Sequence, residues 1–384
     1  MINKRKKILM LVLSTVNPDV RVEKEARYLA SKNFDVSVIG ITRPSLDLPK
    51  KEERDGYTIY RVEIKKKLFF KYFEFYRKVK KLVGSEVYDY IHFHDLNALP
   101  AISKLKKNGK IFVYDSHENF PEQMSETFGL PAQIVYTWVE RHFIKKVDYV
   151  FTPGKTYSNL LEKKYKVKAS VISNYPSKED VDKGHEIEIP KELEKKARFR
   201  VVYFGVMYAN LGYDVTVEVA KLIRDHYNLK PSDIDFLIIG DGSAYEPMKK
   251  MIEEEKLSPY FILTGWMDYH LALSVLRTSD VGLILFQPGK NNFRRIPNRL
   301  YEYFSAGVPF IGSDFEGLRE GAKYDKQLGF FVNPQSPEKI AERIIKLFKD
   351  TKTLEQLKKN AEEAYKTRFN WETEIKKIDK IYKK

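Results

Sequence analysis

The sequence contains no cysteine and no long hydrophobic run. Cysteine is absent from all 384 residues, which excludes disulfide bonds and thiolate metal sites and is typical of a reducing compartment. The longest apolar run, residues 8–13, is far shorter than the roughly 18 to 20 residues that a membrane helix needs. Basic residues precede this run and no small-residue cleavage site follows it, which favours a buried first strand over a signal peptide. We therefore expect a cytoplasmic protein.

Acidic residues are too few to balance the basic ones. The chain has 53 Asp and Glu against 68 Lys and Arg, a formal net charge of +15. This excess favours an anionic partner, which could be nucleic acid, acidic lipid or a phosphorylated small molecule. The hydrophobic content of 43% is ordinary for a folded protein, and the length favours two or more domains.

Short β-branched runs alternate with helical patterns in two successive series. The first series begins near Lys7, the second begins near Phe199, and the polar, proline-containing residues 179–198 between them predict a linker. Such alternation is typical of parallel sheets with crossover helices. We predict an α/β protein with two Rossmann-like, doubly wound domains, residues 1–178 and 199–367. Ligands should bind outside the carboxyl ends of the strands, in a cleft that the two domains face.

Three arginines surround the predicted start of a helix at Asn298. Arg294, Arg295 and Arg299 would be repelled by a helix N-terminus unless an anion lies among them. The alternative is a simple surface pair between Arg299 and Glu302, three residues apart.

Glycine-rich turns follow two strands of the same half, beginning at Gly205 and Gly240. Such turns let backbone N–H groups approach a phosphate, although each alone can be a plain strand-to-helix connection. Glu302, one turn inside the helix, could accept hydrogen bonds from sugar hydroxyls while the arginines hold a diphosphate. These features favour a nucleotide-sugar over a nucleic acid.

Histidines are scarce, but three of the seven follow strands of the first half. His92 and His94 lie in one motif and His117 in another, with Asp95 and Glu118 directly beside them. We expect ligand contacts at this edge of the sheet and a structural role for either His92 or His94. A zinc site is a minor alternative, because no helical H-E-x-x-H pattern supports it. We predict that the protein binds no metal.

One segment, residues 64–83, is both aromatic and basic. Its predicted apolar face consists of Leu68, Phe69, Tyr72, Phe73, Phe75, Tyr76 and Val79, with lysines around it. An interfacial helix that contacts an anionic membrane requires this pattern. An ordinary crossover helix whose aromatics fill the core remains open beside it.

Taken together, these motifs resemble those of the GT-B glycosyltransferases, in particular glycosyltransferase family 4 (group 1). The resemblance covers almost the whole length, including HFHDLNALP, YDSHENFPE, VISNYP, PNRLYEYFSAGVP and FNWETEIKKIDKIY. It implies a retaining, metal-independent enzyme whose C-terminal domain binds the nucleotide-sugar and whose N-terminal domain binds the acceptor. It also implies that a C-terminal helix, within residues 368–384, returns to the N-terminal domain.

The resemblance implies roles for individual residues. Glu302 would hold the donor ribose, His117 would face the transferred sugar, and Gly265, Trp266 and Met267 would meet the nucleobase. The other predicted donor-binding residues are Gly205, Val206, Gly240, Arg294, Arg295, Asn298, Arg299 and Leu300. The catalytic candidates are His117, Glu118 and Asp95, and the acceptor-binding candidates are Asp19, Arg21 and His94.

The sequence departs from the family pattern at three positions. Arg294 stands where the first glutamate of a paired-glutamate motif would fall, and Val206 and Leu211 replace an arginine and a lysine of the glycine turn. We hypothesise that the arginine cluster of the 294–299 segment supplies the missing positive charge.

We predict a glycosyltransferase of polysaccharide biosynthesis that takes a UDP- or GDP-sugar and a glycan or lipid-linked acceptor. It would need no cofactor besides the donor, bind no nucleic acid, and touch the inner membrane face through residues 64–83. The alternatives are a catalytically degenerate partner that binds sugar nucleotide or membrane without turnover, a nucleic-acid-binding protein, and a sugar-nucleotide epimerase.

Overall fold

Two units, each built on its own β-sheet, make up the chain. The computed structural model describes residues 5–67 and 70–383. One unit runs to Asn174 and includes Ile375–Lys384, and the other is Tyr175–Glu374. Each sheet is parallel or nearly so and is flanked by helices, which confirms the predicted α/β fold with two parallel-sheet domains.

The first unit contains an eight-stranded sheet. Its strands are β1 (Lys7–Leu11), β2 (Asp35–Thr42), β3 (Lys51–Arg54), β4 (Tyr57–Glu63), β5 (Tyr88–His94), β6 (Gly109–Asp115), β7 (Tyr149–Thr152) and β8 (Ala169–Val171). They lie in the order β3-β4-β2-β1-β5-β6-β7-β8, and only β3 is antiparallel to its neighbour. The chain adds β2 on one side of β1 and β5 on the other, so the strand order reverses between β1 and β5. Open α/β sheets bind ligands at such a switch point.

Seven α-helices belong to the described part of the first unit. They are α1 (Val20–Ser31), α2 (Phe70–Val83), α3 (Asp95–Ala98), α4 (Ile102–Leu105), α5 (Phe120–Phe128), α6 (Leu130–Phe143) and α7 (Lys155–Tyr165), with short 3-10 turns at Leu99–Ala101, Ile144–Lys146 and Ile375–Lys380. Helices cover both faces of the central strands. Strand β1 is therefore buried along nearly its whole length, and its sequence is continuously apolar instead of alternating.

The second unit contains a six-stranded sheet that is parallel throughout. Its strands are β9 (Phe199–Phe204), β10 (Ile234–Ile239), β11 (Phe261–Gly265), β12 (Val281–Ile284), β13 (Phe310–Ser313) and β14 (Gly329–Val332), in the order β11-β10-β9-β12-β13-β14. Its helices are α8 (Lys178–Glu186), α9 (Tyr213–Asp225), α10 (Tyr245–Glu254), α11 (Tyr269–Leu276), α12 (Arg299–Ser305), α13 (Glu316–Gly321), α14 (Pro337–Lys349), α15 (Thr351–Thr367) and α16 (Trp371–Glu374), with 3-10 turns at Ala209–Leu211 and Ser258–Tyr260.

The segment predicted to be a linker, residues 179–198, contains most of helix α8. This helix packs within the second unit, where Gly184 lies so close to Leu273 that a Cβ would approach it to 2.8 Å. The polar surface of α8 hid this contact from the sequence. At the other end of the chain, Ile375–Lys384 belongs to the first unit, where the Tyr382 hydroxyl lies 2.9 Å from Nδ1 of His92.

None of the helices in the described part of the chain combines the length and apolar character that crossing a membrane requires.

Candidate active site

Two adjacent strands of the first unit end at a cluster of ionisable side chains. In the parallel pairing of β5 and β6, His94 lies opposite Asp115. Asp95 follows β5 directly and has a φ of 64°, a left-handed conformation that aspartate tolerates better than most residues and that is common at functional sites. His117 follows β6 by two residues. The carboxyl edge of the sheet thus assembles groups that are far apart in the sequence.

The His117 ring is held between two carboxylates. Its Nδ1 lies 3.3 Å from Asp95 and its Nε2 lies 3.1 Å from Asp115. Its backbone N–H donates to the Asp95 carboxylate at 3.1 Å, and Nδ1 of His94 lies 3.2 Å from Nε2. The side chains of His117 and Asp95 are 20% and 34% exposed, whereas those of His94 and Asp115 are buried. His117 and Asp95 therefore form the accessible part of the cluster.

The buried Arg21 side chain forms an ion pair with Asp115. It donates from Nε and NH2 to the two Asp115 oxygens, both at 2.7 Å, and from NH1 to the Ile172 carbonyl at 3.0 Å. Arg21 and His94, which we expected to contact the acceptor, are both buried. Arg21 is engaged with Asp115 and the Ile172 carbonyl, and Nδ1 of His94 faces His117 and Asp115.

The electrostatics of the cluster favour a charged His117. Burial alone would lower the pKa of His117, but Asp95 and Asp115 outweigh burial and raise it to about 9. Burial would likewise raise the pKa of Asp115, but Arg21 and His117 hold it well below its usual range. At neutral pH the cluster therefore contains an imidazolium that donates to two carboxylates.

A deeper group of side chains has the composition of a metal site. Ligand atoms of Glu25, His92, His94 and Asp115 all lie within 4.8 Å of one another. Arg21, however, lies among them, 3.3 Å from Glu25 and bidentate on Asp115. The fixed guanidinium charge opposes a second cation there. Burial, assisted by the charge of Asp115, raises the pKa of Glu25, which disfavours the carboxylate form that a metal ion would require.

Both His92 and His94 are buried, whereas the sequence predicted a structural role for only one of them. The two rings stack with centroids 4.2 Å apart, and burial lowers the pKa of each. The two residues are two positions apart in β5 and therefore lie on the same face of the sheet, so one covered face buries both.

The other first-unit candidates have structural contacts. Asp19 caps helix α1 and accepts a hydrogen bond from the Ser14 hydroxyl at 2.5 Å. Glu118 is half-buried, and its backbone carbonyl accepts from the Tyr157 hydroxyl at 2.9 Å. Asp19 remains partly accessible at the same edge of the sheet.

In the second unit, three glycine turns lie side by side. Gly205, Gly240 and Gly265 end or follow the neighbouring strands β9, β10 and β11. The Gly205 N–H donates to the Ile239 carbonyl and the Gly240 N–H donates to the Gly265 carbonyl, both at 2.9 Å. A Cβ on Gly240 would meet the Gly205 oxygen at 2.0 Å, and Gly240 has a φ of 144°. Only glycine fits this close backbone approach.

Arg299 lies against the first of these turns. Its guanidinium would be 3.4 Å from a Cβ on Gly205, and it stacks over the Tyr203 ring with its Cζ 4.5 Å from the centroid. Arg299 is only 8% exposed. Among the described residues, its NH1 has no hydrogen-bond partner. A buried cation with an unsatisfied donor beside a glycine turn has the properties of an anion-binding group.

Helix α12 is short and places its residues on different sides. Asn298 precedes it and is exposed, and Glu302 is half-buried with its side chain close to the Tyr269 hydroxyl. Leu300 is completely buried, so its side chain cannot contact a donor, and only its backbone could. With seven residues, α12 has a weak dipole, and the positive charge at this place comes mainly from Arg299.

The remaining positive charges lie in the loop before α12. Arg294 and Arg295 are half-buried, and a Cβ on Gly317 would meet the Arg294 carbonyl at 2.5 Å. The two positions that lack the family's basic residues differ from each other: Val206 is exposed, and Leu211 is buried. The loop before α12 is thus anchored by close packing on α13.

The residues expected at the nucleobase follow β11. Trp266 is 76% exposed, and Met267 packs against one of the hydrophobic cores of the second unit. An exposed indole beside Gly265 is available for stacking on a base. Sequence reasoning missed Asp115 and Tyr203. The available signal was a carboxylate as the last residue of β6 and a phenol one residue before the end of β9.

Two families match the chain in succession. Residues 19–175 match the family described as Glycosyltransferase Family 4, and residues 185–364 match Glycosyl transferases group 1. An uncharacterized glycosyltransferase of Methanocaldococcus jannaschii is 22% identical over 289 residues, which is 73% of this chain and 70% of that protein.

Solved structures share the fold. Sucrose-phosphate synthase from Thermosynechococcus elongatus has a TM-score of 0.80 at 17% identity, covering 98% of both chains. A structure described as trehalose-6-phosphate from E. coli bound with UDP-2-fluoro glucose has a TM-score of 0.72 at 14% identity, covering 98% of this chain and all of the other.

Proposed function

The chain belongs to the group 1 glycosyltransferases of the GT-B fold, which use nucleotide-sugar donors, and from this premise we propose a retaining, metal-independent hexosyltransferase. The donor would be a UDP- or GDP-sugar and the acceptor a glycan or a lipid-linked glycan precursor. The observation that carries the proposal is the buried, incompletely bonded Arg299 guanidinium against the Gly205 turn. One solved neighbour is described as bound to UDP-2-fluoro glucose, which supports UDP as the first nucleotide to test.

In the proposed reaction, the bond between the anomeric carbon and the diphosphate oxygen breaks. The acceptor hydroxyl oxygen forms the new bond on the same face of the sugar, and its proton passes to the departing phosphate oxygen. Arg299, which lies against the turn at Gly205, would stabilise the negative charge that develops on the diphosphate. The His117 imidazolium would contact the transferred sugar, with Asp95 fixing its orientation.

The roles of Glu302 and Trp266 in this proposal are to hold the nucleoside. Glu302 would accept hydrogen bonds from ribose hydroxyls, since its carboxylate is half-buried on α12. Trp266 would stack on the base. Arg294 and Arg295 would add long-range attraction for the donor phosphates.

A thermal-shift screen tests the donor assignment. We expect one nucleotide family among UDP, GDP, ADP, CMP and dTDP, with its sugars, to raise the melting temperature in proportion to the logarithm of ligand excess. The shift should be the same in EDTA and in magnesium. A shift without sugar transfer or donor hydrolysis would instead identify a non-catalytic partner protein, and a magnesium requirement would contradict metal independence. The anomeric configuration of the product, read by NMR coupling constants, tests retention.

We also propose peripheral contact with an anionic membrane on the cytoplasmic face. In the predicted segment 64–83, Phe70 and Phe73 are exposed, but Phe75 and Val79 fill the core; Leu68 and Phe69 lie outside the described residues. The aromatic face of α2 is therefore only partly available. Membrane contact needs a larger apolar surface.

Helix α6 presents that surface. Leu130, Ile134, Val135 and Trp138 are between 57% and 64% exposed. The exposed Arg141 and Lys145 follow them at the end of the helix. An exposed apolar stripe that ends in cations is typical of a helix that lies in the interface of an anionic bilayer.

Replacing this stripe should abolish vesicle binding. We expect the Ile134→Glu, Trp138→Glu double variant to lose at least about tenfold in cosedimentation with phosphatidylglycerol vesicles at low salt, because it places two charges where acyl chains would pack. Leu46→Glu with Val87→Glu is the matched control, since both are exposed apolar residues of the same unit. Equal binding by the two double variants, or no binding by the wild type, would refute the assignment.

A further inference from the structure

A cavity opens at the carboxyl edge of the first sheet, two to three strands from the strand ends that carry Asp95 and His117. It has a volume of about 670 Å³, and Leu13, Ile41 and Ile64 form its apolar part. These residues lie at the ends of the parallel strands β1, β2 and β4, which are neighbours in the sheet. The cavity is large enough for a ligand well beyond the size of a single phosphate.

The rest of the lining is strongly basic. Arg43, Lys65, Lys66, Lys67 and Lys71 line the cavity, and its described lining contains no acidic side chain. Five like charges around one cavity repel one another unless an anion lies among them.

Partner contacts of these cations are few. Lys65 pairs with Glu63 at 3.2 Å. Lys66 and Lys71 lie over aromatic rings. In the parts of the chain that the structure describes, Arg43 and Lys67 have no carboxylate within 4 Å. At least these two charges are available to a ligand.

The backbone of the lysine-rich loop is fixed by a buried carboxylate. Glu74 accepts hydrogen bonds from the backbone N–H groups of Lys65 and Lys66 at 3.1 and 2.9 Å, and Lys78 pairs with it at 2.8 Å. The Ile64 N–H donates to the Thr42 carbonyl at 2.9 Å. The backbone of residues 64–66 is therefore fixed at the rim of the cavity before any ligand arrives.

We propose that this cavity binds a phosphate or diphosphate group of the acceptor. The proposal rests on the proposed transferase function and adds the chemical class of its acceptor. Arginine and lysine are the side chains that recognise phosphate oxygens. The apolar residues of the cavity would contact the part of the acceptor next to the phosphate.

The sheet order sets the length of such an acceptor. Strands β2, β1, β5 and β6 are consecutive, and neighbouring strands are about 4.8 Å apart, so the cavity at β2 is on the order of 10–15 Å from the strand ends that carry Asp95 and His117. The phosphate of a simple sugar phosphate cannot span this distance to its own hydroxyls. The acceptor is therefore a longer phosphate-bearing molecule, with its reactive hydroxyl about two sugar lengths from the phosphate.

Pyrophosphate is the first probe. Titration calorimetry is done in an Arg299→Met background, in which binding of pyrophosphate at the donor side is weakened. There we expect pyrophosphate to bind, and Arg43→Gln with Lys67→Gln to weaken it by about tenfold or more, as loss of two phosphate contacts implies. Lys104→Gln with Lys107→Gln removes the same charge from exposed positions of the same unit and should leave binding unchanged. No binding, or equal weakening by both pairs, would overturn the proposal.

Two further experiments follow. One distinguishes a lipid phosphate from a soluble phosphate, and the other distinguishes the cavity assignment from the donor assignment. Displacement of pyrophosphate by vesicles containing phosphatidic acid, but not by glucose 6-phosphate, would assign a lipid phosphate, and the reverse would assign a soluble one. In otherwise wild-type protein, Arg43→Gln with Lys67→Gln should leave the nucleotide-induced thermal shift intact. A normal nucleotide shift without pyrophosphate binding would overturn the cavity assignment alone, whereas pyrophosphate binding without a nucleotide shift would overturn the donor assignment alone.

Discussion

Arg299→Met is expected to lower kcat/KM for the sugar nucleotide by at least about a hundredfold, with little change in the melting temperature. Arg299 is the buried cation beside the Gly205 turn, and its NH1 lacks a partner among the described residues. A charge-assisted contact to a diphosphate in such a site contributes about 2.7–4 kcal/mol to the stability of the transition state, which is a hundredfold or more in rate. Methionine keeps most of the packing against Tyr203 while it removes the charge. Steady-state kinetics and a thermal melt measure the two effects separately.

Matched variants decide whether the position or the charge matters. Arg277→Met removes an exposed arginine of the same unit and should leave donor kinetics unchanged. Arg299→Lys keeps the charge without the planar fork and should fall between the wild type and Arg299→Met. If Arg295→Ala with Arg299→Ala left donor affinity at the wild-type value, the idea that these arginines replace the missing basic residues of the glycine turn would fail.

Much of the second unit was predictable because its signals are local in sequence. Gly205 and Gly240 follow apolar strands and therefore predict tight turns. The arginines near Asn298 lie close to a predicted helix start. What the sequence could not give is the register that sets these turns side by side. The hydrogen bonds from Gly205 to Ile239 and from Gly240 to Gly265 depend on strand order, which no single segment encodes.

The first unit was harder for the same reason. Polar residues after strands were found from the sequence, namely His117, Asp95 and Glu118. Asp115 was missed because its role follows from contacts with other elements, His94 of β5 and Arg21 of α1. Arg21 looked like a loop residue facing an acceptor. Its burial follows from the pairing with Asp115, 94 residues away. Such long-range ion pairs reverse the usual rule that a charged side chain is exposed.

Membrane contact through residues 64–83 stays a prediction, and the structure shows only part of that apolar face exposed. Aromatic density in residues 64–83 pointed to α2, but Phe75 and Val79 fill the core. Helix α6 carries the larger exposed apolar stripe, and its sequence is less conspicuous because Leu130 and Ile134 are ordinary core residues elsewhere. Periodicity identifies an apolar face, but it does not tell whether another element covers that face.

His117→Gln is expected to lower kcat by about a hundredfold and to change the donor dissociation constant little. Glutamine retains a donor and an acceptor but cannot carry the positive charge that Asp95 and Asp115 hold on the ring. Loss of a preorganised charge at the reacting sugar has an effect of this size on the transition state. His226→Gln, an exposed histidine of the second unit, is the control. Wild-type kcat in the His117 variant would remove His117 from the reaction.

The pH profile identifies the charge as the cause. Because the pKa of His117 is raised to about 9, the imidazolium is intact at pH 7 and is lost as the pH rises through about 9, so wild-type kcat should fall there. The contribution of His117 to the free energy of unfolding is fully present below its unfolded pKa of about 6.5. It is lost as the pH rises through about 9. His117→Gln should show no such limb. Asp95→Asn removes one of the two carboxylates that raise this pKa, and should move the falling limb to lower pH while activity at pH 6 persists. A limb that stays near pH 9 in Asp95→Asn would mean that another group titrates.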